Sequence, residues 1–569
     1  MLRKKILSIS LAGFIIASVL LGCGSSTVVP EGTEKGLNEA ASGAEEIPEE
    51  SKNAAAGFEA GEWRRYSPAI SAEFGMEHDI NSDAFTAMAN AGEPYDNNRW
   101  IQMFRDEVGI ECSYKLISPN AEDYQQKLVL AMTSGDLPDI FHVNDLALYK
   151  QMVDAGVIAD LTDVYEREAN PTLKSIVEGE GTGFIDNFKF DGKLYCIPGK
   201  MPSTNGYSYL WIRKDWLDKL GLEIPKTMDD VMEVARAFVE QDPDGNGKDD
   251  TLGLSIDENY TVFGSMGIFW AYGGQAAGKK FWSKLEDGTV GYSMVQPEMK
   301  GGLKWLQEMY VQGLLNPEFS TQSFTDIGPM IANNSLGMFY GCHWYAGQIN
   351  GVKSEIPDAE WIPILAPGTD GNPAPVYASV DMNGIYCVRA DYEHPEALIA
   401  MFNAYTEKLF GEKNDFENYF ACKENGNLWQ SGPIHMLDAD VDIEPFREMK
   451  KAMDEGTLDT LTGVGGSYWK YIQEGDLSYK LMFGPEGSCF ELVDATYPDI
   501  FTCNSYQGAP TPTQSERWSS MQEIIDTSYI KMITGEEDVD EGFDKMVSDW
   551  MAAGGDKVTE EVNAIVAGK

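Results

Sequence analysis

The chain has 569 residues, 43% of them hydrophobic and 11% aromatic, the make-up of a well-packed globular protein too long for one hydrophobic core. Its formal net charge of −48 sets it against nucleic acid and against binding acidic lipids by charge. The same charge favours solubility and disfavours anionic ligands, although a local pocket can oppose the global sign.

Arg3, Lys4 and Lys5 open the chain, an apolar run follows from Ile6 to Leu21, and Leu20, Leu21, Gly22 and Cys23 end it. A positive start, a short apolar core and small residues at its end predict an export signal over residues 1–22, too short and wrongly flanked for a stable membrane span. The alternatives are an ordinary signal peptide cut nearby and a retained anchor. No later segment approaches the roughly 20 apolar residues that a span requires. Residues 23–60 are rich in Gly, Ala, Ser and Glu, and residues 24–57 lack any aromatic side chain. Such a segment buries too little apolar area to offset its ordering entropy, which predicts a disordered tether kept extended by its acids. Beyond Cys23, the cysteines at 112, 196, 342, 387, 422, 489 and 503 are scattered. They show no metal-ligand spacing and cannot all pair, so they are expected mostly as small buried hydrophobes, with one disulfide left open.

Further along, Asn97–Val108 has a helical pattern, Glu111–Ser118 reads as a strand and Tyr124–Ser134 as a helix. A turn leads into a buried strand at Ile140–Val143 and a helix at Leu146–Ala155. This alternation predicts an α/β fold with a largely parallel sheet. Ligands sit beyond the carboxyl ends of such strands, where Asn144 and Asp145 stand. Asp145 equally suits the N-cap of the following helix, and one residue can serve both ends. The strand-like Tyr207–Ile212 then enters a charged helix start. LGLEIPKT closes one helix and opens another, with Thr227 as N-cap before Met228–Val239.

That helix runs into DPDGNGKDD. Asp242, Asp244, Asn246 and Asp250 fall at the alternate positions whose oxygens ligate calcium, Gly247 permits the sharp turn, and Lys248 contributes its backbone carbonyl. The bidentate glutamate of an EF-hand is missing, because that position is Gly253. The sixth ligand is left among Thr251, a more distant carboxylate and water. The alternative is a plain solvated Asp/Gly turn.

Taken together, the stretch Trp211–Leu254, the run YQQKLVLAMTSGDLPDIFHVND and the L-L-G-C ending resemble the solute-binding lipoproteins of ATP-binding cassette importers. The resemblance is to family 1, the oligosaccharide-binding branch. DGKLYCIPGKMPSTNGYSYLWIRKDW looks like that family's first crossover between lobes and VYASVDMNGIYCVRADYEHPEALIAMFN like its second, with Pro395 near the first turn of a helix. The C-terminal tail fits the family's closing helices. The match runs over nearly all of residues 90–569, with the calcium loop its one sharp motif. It implies a two-lobed periplasmic-binding-protein-like α/β fold with chain crossovers between lobes. Residues 61–205 and 379–455 would form the N-terminal lobe, and 206–378 and 456–569 the C-terminal one. It further implies diacylation of Cys23, anchoring outside the cytoplasmic membrane, a monomer, a structural calcium, an oligosaccharide ligand and a permease partner.

Sugar rings stack their C–H faces on indoles and phenols while their hydroxyls need polar partners. Three aromatic clusters lie beside glycines: FWAYGG with Trp270 and Tyr272, MFYGCHWYAG with Tyr340, His343, Trp344 and Tyr345, and GGSYWKY with Tyr468 and Trp469. Trp270 and Trp344 are the expected stacking surfaces, and Asn144, Asp145 and Tyr345, with Tyr207, Asn205 and Asp381 near the crossovers, the other expected contacts. Trp216, Trp305 and Trp361 read as core. With no nucleophile elbow, zincin or Walker motif, no enzyme is expected. The competing readings are a binding protein for peptides or another polar solute, a surface glycosidase and an adhesion module.

Overall fold

The computed structural model describes residues 57–568 apart from 82, 179–183, 262–263, 277, 279–280, 379–381, 412–413, 423–425, 439, 497–500 and 507–509. The export signal, Cys23 and the tether through residue 56 lie outside the described residues, as do Asp381 and the side chain of Asn205.

The two larger sheets draw on nine strands: β1 (Ile70–Glu77), β2 (Ile110–Ser118), β3 (Ile140–Val143), β4 (Ile197–Lys200), β5 (Tyr209–Arg213), β6 (Leu252–Ser255), β7 (Leu336–Gly341), β8 (Trp361–Leu365) and β9 (Met382–Val388). One sheet has the order β2-β1-β3-β9-β4 and the other β8-β5-β7-β6. The chain therefore crosses from the first sheet to the second between β4 and β5, and returns between β8 and β9.

These crossings correct the expectation of a largely parallel sheet. β1 pairs parallel with β2 and β3, but β9 pairs antiparallel with both β3 and β4. In the second sheet β5 is antiparallel to β7 and β8, and only β7 and β6 run parallel. A strand that leaves a sheet runs toward the crossing edge, and one that arrives runs away from it. β4 leaves and β9 arrives, so as neighbours they must oppose; β5 and β8 oppose for the same reason.

Six helices matter for the site: α1 (Ala121–Ser134), α2 (Leu146–Ala155), α3 (Lys214–Leu220), α4 (Met228–Glu240), α5 (Ala397–Phe410) and α6 (Pro512–Ile533). Their starts follow from side chains that satisfy the first free N–H groups. Asn120 accepts from Asp123 N, and Asp145 from Leu148 N at 2.7 Å. Thr227 and Asp230 exchange bonds in a capping box. Pro395 stands just ahead of α5, which begins at Ala397. α4 buries Val231, Ala235 and Phe238 and lies so close to β6 that a Cβ on Gly253 would sit 2.8 Å from the Ala235 carbonyl oxygen. Any side chain at 253 is excluded by this packing, which is the steric reason the calcium loop lacks its usual last glutamate.

β5 and β7 are buried along their whole length, the pattern of central strands covered on both faces. β9 alternates, with Tyr386 and Val388 in the larger core and Ile385 and Cys387 in a second core on the opposite face. Cys112, Cys196, Cys342, Cys387 and Cys489 are free thiols, all but Cys112 fully buried. Trp216, Trp305 and Trp361 are core residues. No helix among the described residues is long and apolar enough to cross a membrane.

Candidate functional site

Strand pairing shows which sheet edges face the crossings. β1 and β3 run parallel, Val143 lies opposite Ile385, and Lys200 lies opposite Met382. Glu77, Asn144 and Lys200 therefore share one edge of the first sheet, the edge through which the chain departs and returns. In the second sheet Gly341 and Leu365 both lie opposite Tyr209, and Ser255 ends β6 on the same edge beside β7. Each edge is tied to the other by the same two crossings, so the loops after β1, β3, β6 and β7 all lie on the crossing edges of their sheets.

On the first edge, the Asn144 side-chain amide donates to Glu77 Oε2 at 2.6 Å. Partial burial raises the Glu77 carboxyl above its ordinary range, and the Asn144 bond opposes that rise. Asp145 is half-buried and spends one oxygen on capping α2. On the second edge, Tyr345 donates its hydroxyl to Asp257 Oδ2, and burial raises the Asp257 carboxyl despite that bond. Trp344 is half-buried, set edge-on to Phe324 at 5.3 Å and tilted against Tyr345 at 4.5 Å. A cavity of about 500 Å³ opens between α2 and the start of α6, lined among others by Lys150, Phe190, Tyr506, Thr511 and Ile565.

Several expected contacts sit elsewhere. Trp270 is only 1% exposed, donates its indole N–H to the Ala276 carbonyl and meets Tyr377 edge-on at 6.2 Å. In this conformation it is a core side chain beside the second crossing, with no face for a ligand. Tyr207 and Tyr345 are also buried, at 0% and 1% exposure, so their rings pack on protein. Tyr468 stacks on Phe483 at 4.3 Å, while Trp469 lines a separate open groove and donates to Asp459 Oδ1 at 3.2 Å. The facing edges thus keep Asn144, Asp145 and Trp344 as accessible candidates.

Glu77 and Asp257 escaped sequence reasoning. Asp257 had a signal: LGLSID repeats the pattern of IFHVND, a short apolar strand followed by an acid. Glu77 had none, because it ends an alternating strand like any solvent-facing acid. Three of the five histidines also meet near this edge. His142 and His435 rings are 5.8 Å apart, and His78 and His435 rings 6.5 Å. Burial lowers His78 to about 4 and His435 well below its ordinary value.

The DPDGNGKDD loop folds around its own side chains. Asp242 accepts from the backbone N–H of Gly245, Asn246 and Gly247, and Gly247 takes a φ of 75°. The Asn246 amide bridges Asp244 Oδ2 at 2.6 Å and Asp250 Oδ1 at 2.9 Å. Burial and the neighbouring Asp242 and Asp250 carboxyls raise the Asp244 carboxyl above its ordinary range. In kind these oxygens suit calcium. As placed, no group of three or more acidic, histidine or cysteine side chains among the described residues is arranged to hold a metal ion. Thr251, named among the choices for the sixth ligand, is buried and donates its hydroxyl to the Phe238 carbonyl at 2.6 Å.

The profile of the family described as bacterial extracellular solute-binding protein matches residues 83–408, more than half of the 569 residues. The chain belongs to this family. Among its relatives is the polygalacturonan/rhamnogalacturonan-binding protein YtcQ of Bacillus subtilis, 26% identical over 77% of this chain and 82% of that one. Another is the lipoprotein LipO of the same organism, 22% identical over 83% of this chain and 89% of that one. Among solved structures, the Streptococcus pneumoniae substrate-binding protein FusA, an EF-hand mutant in complex with fructo-nystose, superposes with a TM-score of 0.60. It shares 17% identity over 87% of this chain and 99% of that one. The fold of this solute-binding protein is thus the two-lobed periplasmic-binding-protein type.

Proposed function

We propose that this chain captures an oligosaccharide in the cleft between its lobes and delivers it to the permease of an ATP-binding cassette importer. The observation that carries this reading is that both sheets turn polar strand-end loops, with the half-exposed indole of Trp344 after β7, to the edges joined by the crossings. The names of YtcQ and FusA support carbohydrate as the ligand. Trp344 would supply the stacking face, and Asn144 and Asp145 the hydroxyl partners. Residues 61–205 with 379–455, and 206–378 with 456–569, would form the lobes, a division supported by the strand membership of the two sheets. Asp242, Asp244, Asn246, Asp250 and the Lys248 carbonyl would hold a calcium that fixes the loop after α4; the EF-hand named for FusA supports this. Diacylation of Cys23 would hold the protein outside the cell membrane, as the name of LipO supports.

No catalysis is required. Ligand binding shifts the population toward a closed state stabilised by contacts made only there. A thermal-shift screen of glycans followed by calorimetry tests the reading, because a ligand that binds only the native state raises the Tm. A glycan that binds wild type and is weakened by Trp344→Ala is the expected result. Binding of a peptide or another polar solute, with no glycan bound, overturns the carbohydrate assignment.

A further inference from the structure

The charges bordering the cleft are one-sided. Glu77 and Asp145, both partly exposed, stand on the first edge, and Asp257 lies buried behind the second at 2% exposure. Asp438 and Asp440 lie close enough to act on Lys200, where Leu437 N donates to the Lys200 carbonyl at 3.0 Å. Two lysines reach the first edge, and neither is left unpaired or free for a ligand. Lys127 bonds Ser118 Oγ, opposite Glu77, at 2.7 Å but also lies 2.7 Å from Asp123. Lys200 is 7% exposed, its Nζ lies 3.5 Å from the Ile176 carbonyl oxygen and 5.8 Å from the centre of the Phe184 ring. The two lysines of the cavity between α2 and α6 are likewise spent locally. Lys150 lies 2.6 Å from Asp154 and Lys189 2.8 Å from Asp186.

A second observation concerns the polar atoms that lack a hydrogen-bond partner within the protein. Thr204 Oγ1 in the first crossing, Tyr209 Oη at the start of β5, His343 Nδ1 after β7 and His435 Nδ1 beside the first edge are all of this kind. Each belongs to a side chain less than a tenth exposed. Buried polar groups of this sort need a partner, and these are hydroxyls and uncharged imidazoles; burial alone lowers His343 to about 3. They offer no fixed positive charge to an anion.

We infer that the cleft takes an uncharged oligosaccharide and rejects uronate-bearing glycans, in contrast to what the name of YtcQ states for that protein. The inference rests on the carbohydrate reading above and adds the charge class. A ligand carboxylate would meet Glu77 or Asp145 without a free cation to offset it, within a molecule whose overall field already repels anions.

Calorimetry on the calcium-loaded full chain decides it, with neutral oligosaccharides, oligogalacturonides and the methyl esters of those same oligogalacturonides as probes. Esterification removes the charge and keeps the ring. The expected result is binding by a neutral glycan or ester with the matched uronate weaker by tenfold or more. Glu77→Gln with Asp145→Asn should narrow that ratio, the amide at 145 retaining the oxygen that caps α2. A uronate that binds as tightly as its ester, or tighter than every neutral glycan, overturns this inference and leaves the carbohydrate reading standing. A ratio unchanged in the double variant also overturns it. Binding by none of these probes, while another solute binds, overturns both.

Discussion

Trp270 and Trp344 look alike in sequence, each an indole after an apolar run and beside glycines, and burial separates them. Trp270 at 1% exposure has its N–H satisfied by Ala276, so Trp270→Ala should cost about 3–5 kcal/mol of stability, the scale of a large-to-small core change. Trp344→Ala should leave the ligand-free Tm nearly unchanged and weaken a bound glycan by about ten- to a hundredfold, the scale of a lost hot-spot aromatic. Melting curves with calorimetry distinguish the two, and a steep Tm loss from Trp344→Ala would remove it from the site. Histidines carry the second residue-scale prediction. Burial lowers His78 to about 4, His343 to about 3 and His435 well below its ordinary value of 6.5. Between pH 6.5 and about 4 the unfolded chain takes up protons that these buried rings refuse, so stability falls as pH falls through that window. Asp442 works the other way. Burial raises it to about 7, so its charged form costs stability fully above that pH, and the cost is relieved as pH drops toward 3.8. Burial also raises Glu77, Asp257, Asp440 and Glu448, but by less, so the wide shifts of the three imidazoles give a net loss. Tm measured from pH 7.5 to 4.5 should decline, and decline less in His78→Phe; a Tm that climbs on acidification would show that carboxyl relief dominates.

Among the elements, those with local causes were legible in the sequence. The strand Ile140–Val143, the helix Leu146–Ala155 and the capped start at Thr227 follow from apolar runs bounded by Asp145, Gly156 and the Thr227–Asp230 pair. Strand direction was not legible, because it depends on which strands leave and which enter through the crossings. The site was half legible for a similar reason. Asn144 and Asp145 announce themselves by following a strand, whereas burial of Trp270, Tyr207 and Tyr345 depends on distant packing such as Tyr377 against Trp270. The calcium loop joins both kinds. Its donor spacing is read directly, but the loss of Thr251 to the Phe238 carbonyl and the exclusion of a glutamate at Gly253 come from the packing of β6 on α4. With the close Asp242 and Asp244 carboxyls further crowded by Asp250, a hard dication should relieve mutual repulsion. Calcium should raise the Tm, chelation should reverse the rise, and Asp244→Ala should abolish the response. An identical Tm with and without chelator, in protein shown by elemental analysis to have lost its metal, would exclude the site.

Across the whole molecule, 91 acidic residues face 43 basic ones, and exposed ion pairs such as Lys545–Asp549 at 2.8 Å and Lys470–Glu417 at 3.0 Å use up most of the available cations. The remaining carboxylates repel one another over distances that salt screens, with a Debye length of roughly 10 Å at 0.1 M. That self-repulsion destabilises the compact state, while individual surface pairs contribute about 0–1 kcal/mol each and weaken in the same salt. The two effects oppose, and the excess of acids decides the sign. Raising sodium chloride from about 10 mM to about 0.3 M should therefore increase the Tm of the ligand-free protein, with the gain concentrated below the concentration at which the Debye length falls under ~10 Å. The experiment belongs in chelator, so that calcium does not mask the effect, and at constant pH above 7, where the histidines above are neutral in both states. A Tm that falls with salt would mean that local ion pairs outweigh the net charge. The field would then be too well compensated to bar anions at long range, and rejection of uronates would have to come from Glu77 and Asp145 at short range alone.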